Sequence, residues 1–279
     1  MPPDFAVLRA RFRELHQSGC FVIPNPWDIG SARYLRHLGF PALATTSSGF
    51  AFTRGLPDGA RAVTLDMAVA HVAEIASAVD LPVNADFESG YARDAEGIAE
   101  NVRLCAAAGA SGLSIEDSTG DPEHPLYDLP VALERLHAAR ASLHGSGVML
   151  TARAECFLTG HADPLAEAVR RLQAYAEAGA DVLYAPGLRT RTQIQTVVDA
   201  VRPRPVNVLM SWDSGFTVAD LADLGVRRIS VGSGLARAAW GGFMRAARAL
   251  CETGSFTGFA DAASFADLNG FFATDARER

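Results

Sequence analysis

The stretch Leu104-Cys105-Ala106-Ala107-Ala108-Gly109-Ala110-Ser111-Gly112-Leu113-Ser114-Ile115-Glu116 reads as the end of one helix and the whole of the next strand. A helical pattern from Asp94 to Ala108 stops at Gly109, and a short apolar run begins three residues later at Gly112. Glycine tolerates the left-handed conformation of a helix C-cap, so the chain turns abruptly into the strand. The same punctuation returns at Leu38-Gly39, Ala178-Gly179-Ala180 and Leu224-Gly225.

Working outward from that unit, short β-type runs alternate with longer helical patterns. Strands are predicted at Phe21–Pro24, Pro41–Thr46, Pro82–Asp86, Gly112–Glu116, Val148–Ala152, Asp181–Tyr184, Pro205–Leu209 and Arg228–Val231. Helices are predicted over Ile29–Leu38, Leu65–Val79, Asp94–Ala108, Pro130–Leu143, Pro164–Ala178, Thr192–Val201, Val218–Leu224 and Leu235–Cys251. Strict βαβα order implies a parallel sheet. Eight such units fit a closed (β/α)8 TIM-type barrel better than an open sheet. The expected organisation is one barrel domain over 1–279. Within it, the Phe-rich stretch 254–279 is an extra C-terminal helical segment that packs on the barrel or on a neighbouring subunit.

Composition removes several function classes. The 279 residues carry 25 basic against 32 acidic side chains, for a formal charge of −7. Every basic residue is arginine. Without lysine there is no Schiff-base aldolase, no pyridoxal-phosphate enzyme and no P-loop nucleotidase. The acidic balance offers nothing to nucleic acid or an anionic membrane. No run has the length of a transmembrane helix, and Asp4 and Arg9 interrupt the place of a signal peptide. The four cysteines are scattered with no CxxC pair, as expected of buried thiols in a reducing compartment. The expectation is a cytoplasmic protein.

In such a barrel, function sits at the C-terminal ends of the strands. Polar residues gather there. Strand three ends Asn84-Ala85-Asp86-Phe87-Glu88, whose period of two puts Asn84, Asp86 and Glu88 on one face. Strand four ends at Glu116-Asp117 and strand five at Arg153-Ala154-Glu155, with Asn25, Asp28, Thr45, Thr46, Ser47 and Asn207 at other strand ends. Neighbouring strands lie about 4.8 Å apart, so these side chains converge. Clustered carboxylates ask for a cation. Oxygen-only ligation suits Mg²⁺ or Mn²⁺ rather than zinc, with Asp86 the first ligand and Glu88 and Glu116 next. Arg153 is left to grip a substrate carboxylate and to stabilise an oxyanion. The competing reading of the same residues is an ion-pair network that holds the barrel top together.

Seven segments then resemble one family: Asn25-Pro-Trp-Asp28, Ala44-Thr-Thr-Ser-Ser-Gly49, Gly55-Leu-Pro-Asp-Gly59, Asn84-Ala-Asp-Phe-Glu-Ser-Gly-Tyr91, Ser114-Ile-Glu-Asp117, Thr151-Ala-Arg153 and Gly179-Ala-Asp-Val-Leu-Tyr184. In this order they look like the isocitrate lyase/phosphoenolpyruvate mutase superfamily. The resemblance implies a homo-oligomer (dimer or tetramer) with swapped C-terminal helices. It also implies Mg²⁺-dependent chemistry on small α-keto or α-hydroxy carboxylates through a metal-stabilised enolate. It carries substrate binding onto Thr45, Thr46 and Ser47, a catalytic Asp onto Asp58, the metal-binding Asp onto Asp86, the Glu of Ile-Glu-Asp onto Glu116, and the substrate Arg onto Arg153. Asn207 is read as a substrate amide donor, and Trp27 as a residue that binds substrate or positions the strand-two loop.

The departures narrow the branch. The isocitrate and methylisocitrate lyases carry Lys-Lys/Arg-Cys-Gly-His on the mobile loop after Ile-Glu-Asp. Here the loop is Ser118-Thr-Gly-Asp-Pro-Glu-His-Pro-Leu-Tyr127, with neither Cys nor Lys. The Lys and Asn of the phosphoenolpyruvate mutase and phosphonopyruvate hydrolase branch are missing too, and Asn84 replaces a first Asp. His124, beside Glu123 and Tyr127 on this loop, is the candidate acid in place of the cysteine. The reading that follows is carbon–carbon lyase chemistry on a small di- or tricarboxylate. The alternatives are P–C bond chemistry, oxaloacetate decarboxylation or hydrolysis, and a catalytically inactive barrel that binds.

Overall fold

The computed structural model describes residues 3–59 and 62–277. Before the first strand, α1 (Phe5–Leu15) is capped by Asp4, whose carboxylate accepts from the Ala6 and Val7 amides. Its Phe12 packs with Phe21, Ile23, Met149 and Val182, residues at the starts of strands, so α1 plugs the bottom of the barrel. Arg9 fastens it by donating to the carbonyls of Ala106, Ala110 and Ser146.

The barrel follows as β1 (Phe21–Ile23), α2 (Ile29–His37), β2 (Leu43–Ala44), α3 (Ser47–Thr53), α4 (Leu65–Ala78), β3 (Val83–Asp86), α5 (Ala95–Ala107), β4 (Gly112–Glu116), α6 (Leu129–Ser142) and β5 (Met149–Arg153). It continues through α7 (Pro164–Glu177), β6 (Val182–Tyr184), α8 (Arg191–Val201), β7 (Val206–Leu209), α9 (Val218–Asp223), β8 (Arg228–Ser230), α10 (Gly234–Thr253) and α11 (Phe265–Arg277). All eight strands are parallel, in the order β1-β8-β7-β6-β5-β4-β3-β2. Between β1 and β2 the ring is closed by the Ala44 amide, which donates to the Pro24 carbonyl at 3.0 Å. The fold is the expected (β/α)8 barrel.

Beyond the eight helices of the pattern and α11 of the expected C-terminal segment, the described residues form two more. One is α1, outside the alternation. The other is α3, which shortens the second strand from the expected Pro41–Thr46 to Leu43–Ala44. The reason is local: Thr46 accepts from the Gly49 amide and caps α3, so its own backbone has left the ladder. Of the 254–279 extension, residues 278 and 279 lie outside the described residues, as do residues 1 and 2 of the expected 1–279 domain. α11 lies on α2 of its own chain, with Phe271 edge-on to Tyr34 and Arg33 paired with Asp275 at 3.7 Å. Phe256, Phe259 and Phe265 remain exposed, as do Trp240 and Phe243 on α10.

Candidate active site

Arg153, the last residue of β5, is the hub of the barrel mouth. Its Nη1 donates to Asp86 Oδ1 at 2.7 Å and its Nε to Glu155 Oε1 at 2.9 Å, while Nη2 pairs with Glu116 Oε2 at 3.2 Å. The guanidinium also lies 5.2 Å from the ring centroid of Tyr184. Asp86 is held from its other side by Ser47, whose amide and hydroxyl each donate to Oδ2 at 3.1 Å. The Asp86 amide in turn donates to Thr45 Oγ1 at 2.8 Å. The end of β2 and the start of α3 thus hold Asp86 through three hydrogen bonds, two of them to its carboxylate.

The electrostatics are those of an acidic cluster around one cation. Burial works against the Arg153 charge, but Glu155, Glu116 and Asp86 outweigh it and raise its pKa. Burial pushes Glu116 and Glu155 above the usual carboxylate range, with Arg153 opposing. Glu88 is pushed up to about 7, first by burial and further by Asp86, against a 2.9 Å hydrogen bond that Tyr91 Oη donates to its Oε1. Glu88 and Tyr91 both have left-handed backbones, at φ 44° and 54°. Non-glycine residues pay about 1–3 kcal/mol for that conformation, and such strain clusters at functional sites.

Asp58, on the exposed turn after α3, is close enough to feel Asp86 and Arg153. Partial burial and then Asp86 raise its carboxyl above the usual range. Thr46 is nearby but buried as a cap. Asn207 points into the barrel, where its Nδ2 donates to Ser230 Oγ at 3.0 Å and its Oδ1 accepts from Arg228 Nε at 2.8 Å.

Two expected residues stand elsewhere. Trp27 faces an apolar groove with Ala236, Ala239, Trp240 and Phe243, because the chain leaves β1 toward α10 before turning into α2. His124 is exposed on a hairpin closed by the Ser118–Leu126 bridge, and its Nδ1 is 3.6 Å from Asp121. The turn chemistry of Thr119 and Asp121, not the substrate cleft, sets its direction. Neither joins the cluster.

The sequence reading gave no site role to two interior residues: Tyr184 covers Arg153, and Arg228 lies beneath; Asn25, expected at the strand ends, bridges the Thr45 carbonyl to the Val231 and Gly232 amides. The signal for Arg228 was present: the alternation in Arg228-Ile229-Ser230 turns an arginine inward.

The family model of phosphoenolpyruvate phosphomutase matches residues 12–251. The chain belongs to the isocitrate lyase/phosphoenolpyruvate mutase superfamily. Among solved structures, a putative lyase/mutase of this fold from Burkholderia cenocepacia J2315 is 45% identical, with a TM-score of 0.92 over 96% of this chain and 97% of that one. A phosphonopyruvate hydrolase solved with oxalate and Mg²⁺ is 25% identical, with a TM-score of 0.83 over 97% of each chain. An oxaloacetate decarboxylase from Rhodopseudomonas palustris (strain BisB5) is 31% identical over 71% of each chain.

Superfamily relatives are thus lyases, mutases and hydrolases that handle small carboxylates, and Mg²⁺ accompanies oxalate in one of them. Among the described residues, no three His, Cys, Asp or Glu side chains are placed to hold one metal ion together. No helix among them is long and apolar enough to cross a membrane.

Proposed function

We propose that the protein is a Mg²⁺-dependent carbon–carbon lyase acting on a small α-keto or α-hydroxy di- or tricarboxylate. The observation that carries this reading is Arg153, a single buried cation bonded to Asp86, Glu116 and Glu155 at the barrel mouth. Three carboxylates for one guanidinium leave the site anionic. Their hard oxygens, with no nitrogen or sulfur donor among them, suit Mg²⁺ or Mn²⁺. Such an ion keeps most of its positions for water and substrate, so Asp86 suffices as the direct protein ligand, with Glu88 and Glu116 acting through water. The bound ion would supply Lewis-acid stabilisation of the negative charge that develops on an enolate.

The chain's own residues do the rest. Ser47 and Thr45 orient Asp86. Arg153 would offer its planar fork to a substrate carboxylate. Glu88, pushed up to about 7 by burial, is able to hold a proton beside the cleft, and burial and then Asp86 raise the Asp58 carboxyl above its ordinary range. The 118–126 hairpin carries no lysine or arginine, which weighs against P–C chemistry with its more highly charged substrate. The exposed aromatics of α10 and the tail support a homo-oligomer with these faces covered.

Mn²⁺ binding followed by electron paramagnetic resonance tests the metal assignment. One equivalent should bind wild type, and Asp86→Ala should lose it while its circular dichroism is unchanged. Undiminished binding by Asp86→Ala would remove Asp86 from the metal site.

A further inference from the structure

Below the Arg153 layer the barrel axis is not packed solid. A chamber of about 50 Å³, whose lining includes Thr45, Asn84, Ser114, Tyr184, Asn207 and Arg228, opens toward Asp86 and Arg153. That is several times what one buried water needs. At its floor Arg228 is 3% exposed. Its Nε donates to Asn207 and its Nη2 to Thr151 Oγ1 at 3.0 Å, while Nη1 lies 3.4 Å from His16 Nε2.

None of these partners carries a negative charge. Asn207 and Thr151 are neutral by chemistry. Burial, then Arg228 itself, pushes the His16 imidazole down to about 3, so the ring is uncharged at neutral pH. Burial pushes the Tyr184 phenol up to about 12, so it too stays neutral. No described carboxylate forms an ion pair with Arg228, and its own pKa falls to about 10 through burial. The other guanidiniums buried to this degree are more fully engaged: Arg171 pairs with Asp117 and Glu167, and Arg135 donates to three backbone carbonyls and lies over the Tyr127 ring. A buried charge left without a counter-ion is costly, and a five-donor fork has N–H groups to spare beyond three contacts.

Arg228 reaches across from β8 to Thr151, two residues before Arg153 on β5, so its guanidinium lies one side-chain layer below that of Arg153. We propose that the chamber is a carboxylate subsite in which Arg228 receives the second carboxylate of a small dicarboxylate whose first is held at Arg153. This rests on the reading of Asp86 and Arg153 as the substrate centre, and it names the substrate class: a compact acid charged at both ends. Asn207, which holds the Arg228 fork in plane, is a positioning residue for that subsite.

The test compares two ligands with one carbon skeleton, by calorimetry in the presence of Mg²⁺. Malate has both carboxylates; 2-hydroxybutyrate has a methyl group in place of the second. Oxalate, too short to reach the floor, reports on the upper centre alone. A charge-assisted pair at Arg228 should make malate bind about 10- to 100-fold tighter than 2-hydroxybutyrate. Arg228→Met should bring the two within about 3-fold while oxalate binding holds. Asn207→Asp, nearly isosteric, sets a fixed carboxylate against Arg228 and should erase the preference without removing the guanidinium.

A merely structural Arg228 would weaken all three ligands alike and leave the malate preference in place. Wild type that binds both four-carbon acids equally, or a preference that survives in both variants, overturns the subsite. Oxalate that fails to bind wild type overturns the upper centre instead, and the subsite with it.

Discussion

Arg153 Nη1 stands 2.7 Å from Asp86 Oδ1, and this contact joins the end of β5 to the end of β3 across the barrel mouth. The guanidinium occupies the same carboxylate that would hold a divalent ion. A divalent ion held by Asp86 would therefore compete with Arg153 for this carboxylate.

Removing Arg153 should therefore do more than lower activity. Arg153→Met leaves Asp86, Glu116 and Glu155 clustered with no cation, and breaking a buried ion pair from one side costs about 3–5 kcal/mol. Urea unfolding should show that loss in EDTA, and added Mg²⁺ should recover more stability in the variant than in wild type. Equal stability of the two proteins in EDTA would show that the cluster does not need its cation.

Glu88 gives the metal-free protein a pH dependence. Burial raises its folded pKa to about 7, above its unfolded value near 4.5, so the folded state favours the protonated form. Its stabilising contribution is complete below about pH 4.5 and is lost as pH rises through about 7. The size is on the order of 2 kcal/mol. In EDTA, Glu88→Gln should flatten that part of the curve relative to wild type. A wild-type curve already flat over this window would contradict the shift.

Asp117, next to the Arg153 cluster, has a structural task. It accepts from the Glu155 amide, Arg171 and Tyr175, at 2.8, 3.0 and 2.7 Å, and so locks α7 against β4 and β5. Arg171→Leu should cost about 3 kcal/mol by stranding a buried carboxylate. Tyr175→Phe should cost about 1 kcal/mol for one hydrogen bond. Chemical denaturation measures both, and a reversed order would place the lock on the tyrosine.

His124 sits on the exposed hairpin, away from Arg153. His124→Ala should change kcat/KM by less than about 2-fold, since an exposed side chain off the cluster contributes little. A fall of a hundredfold or more would mean that the hairpin closes over the substrate and delivers the imidazole.

The fold was legible because its cues are local. Gly109, Gly179 and Gly225 stop helices directly before strands, and each has a positive φ, at 103°, 94° and 84°. The upper site was legible because Asp86, Glu116 and Arg153 end their strands, where a barrel puts its chemistry. What could not be read depended on three-dimensional partners. Thr46 looked like a strand-end hydroxyl until α3 claimed it as a cap. Trp27 and His124 were placed by α10 and by a hairpin, elements distant from the motifs that named them. Arg228 was hidden for the opposite reason. It lies low on β8, and only the reach of its side chain across to Thr151 brings it under the cleft.

The most direct test of the central claim is pyruvate or glyoxylate release from 2-methylisocitrate, 2,3-dimethylmalate and oxaloacetate, with Mg²⁺ and with EDTA, corrected for enzyme-free reaction. Release from at least one acid with Mg²⁺, lost in EDTA and in Asp86→Ala, is the predicted result. Release that persists in EDTA, or silence from all three acids in protein shown to bind Mn²⁺, would contradict a metal-dependent carbon–carbon lyase at the Asp86–Arg153 centre.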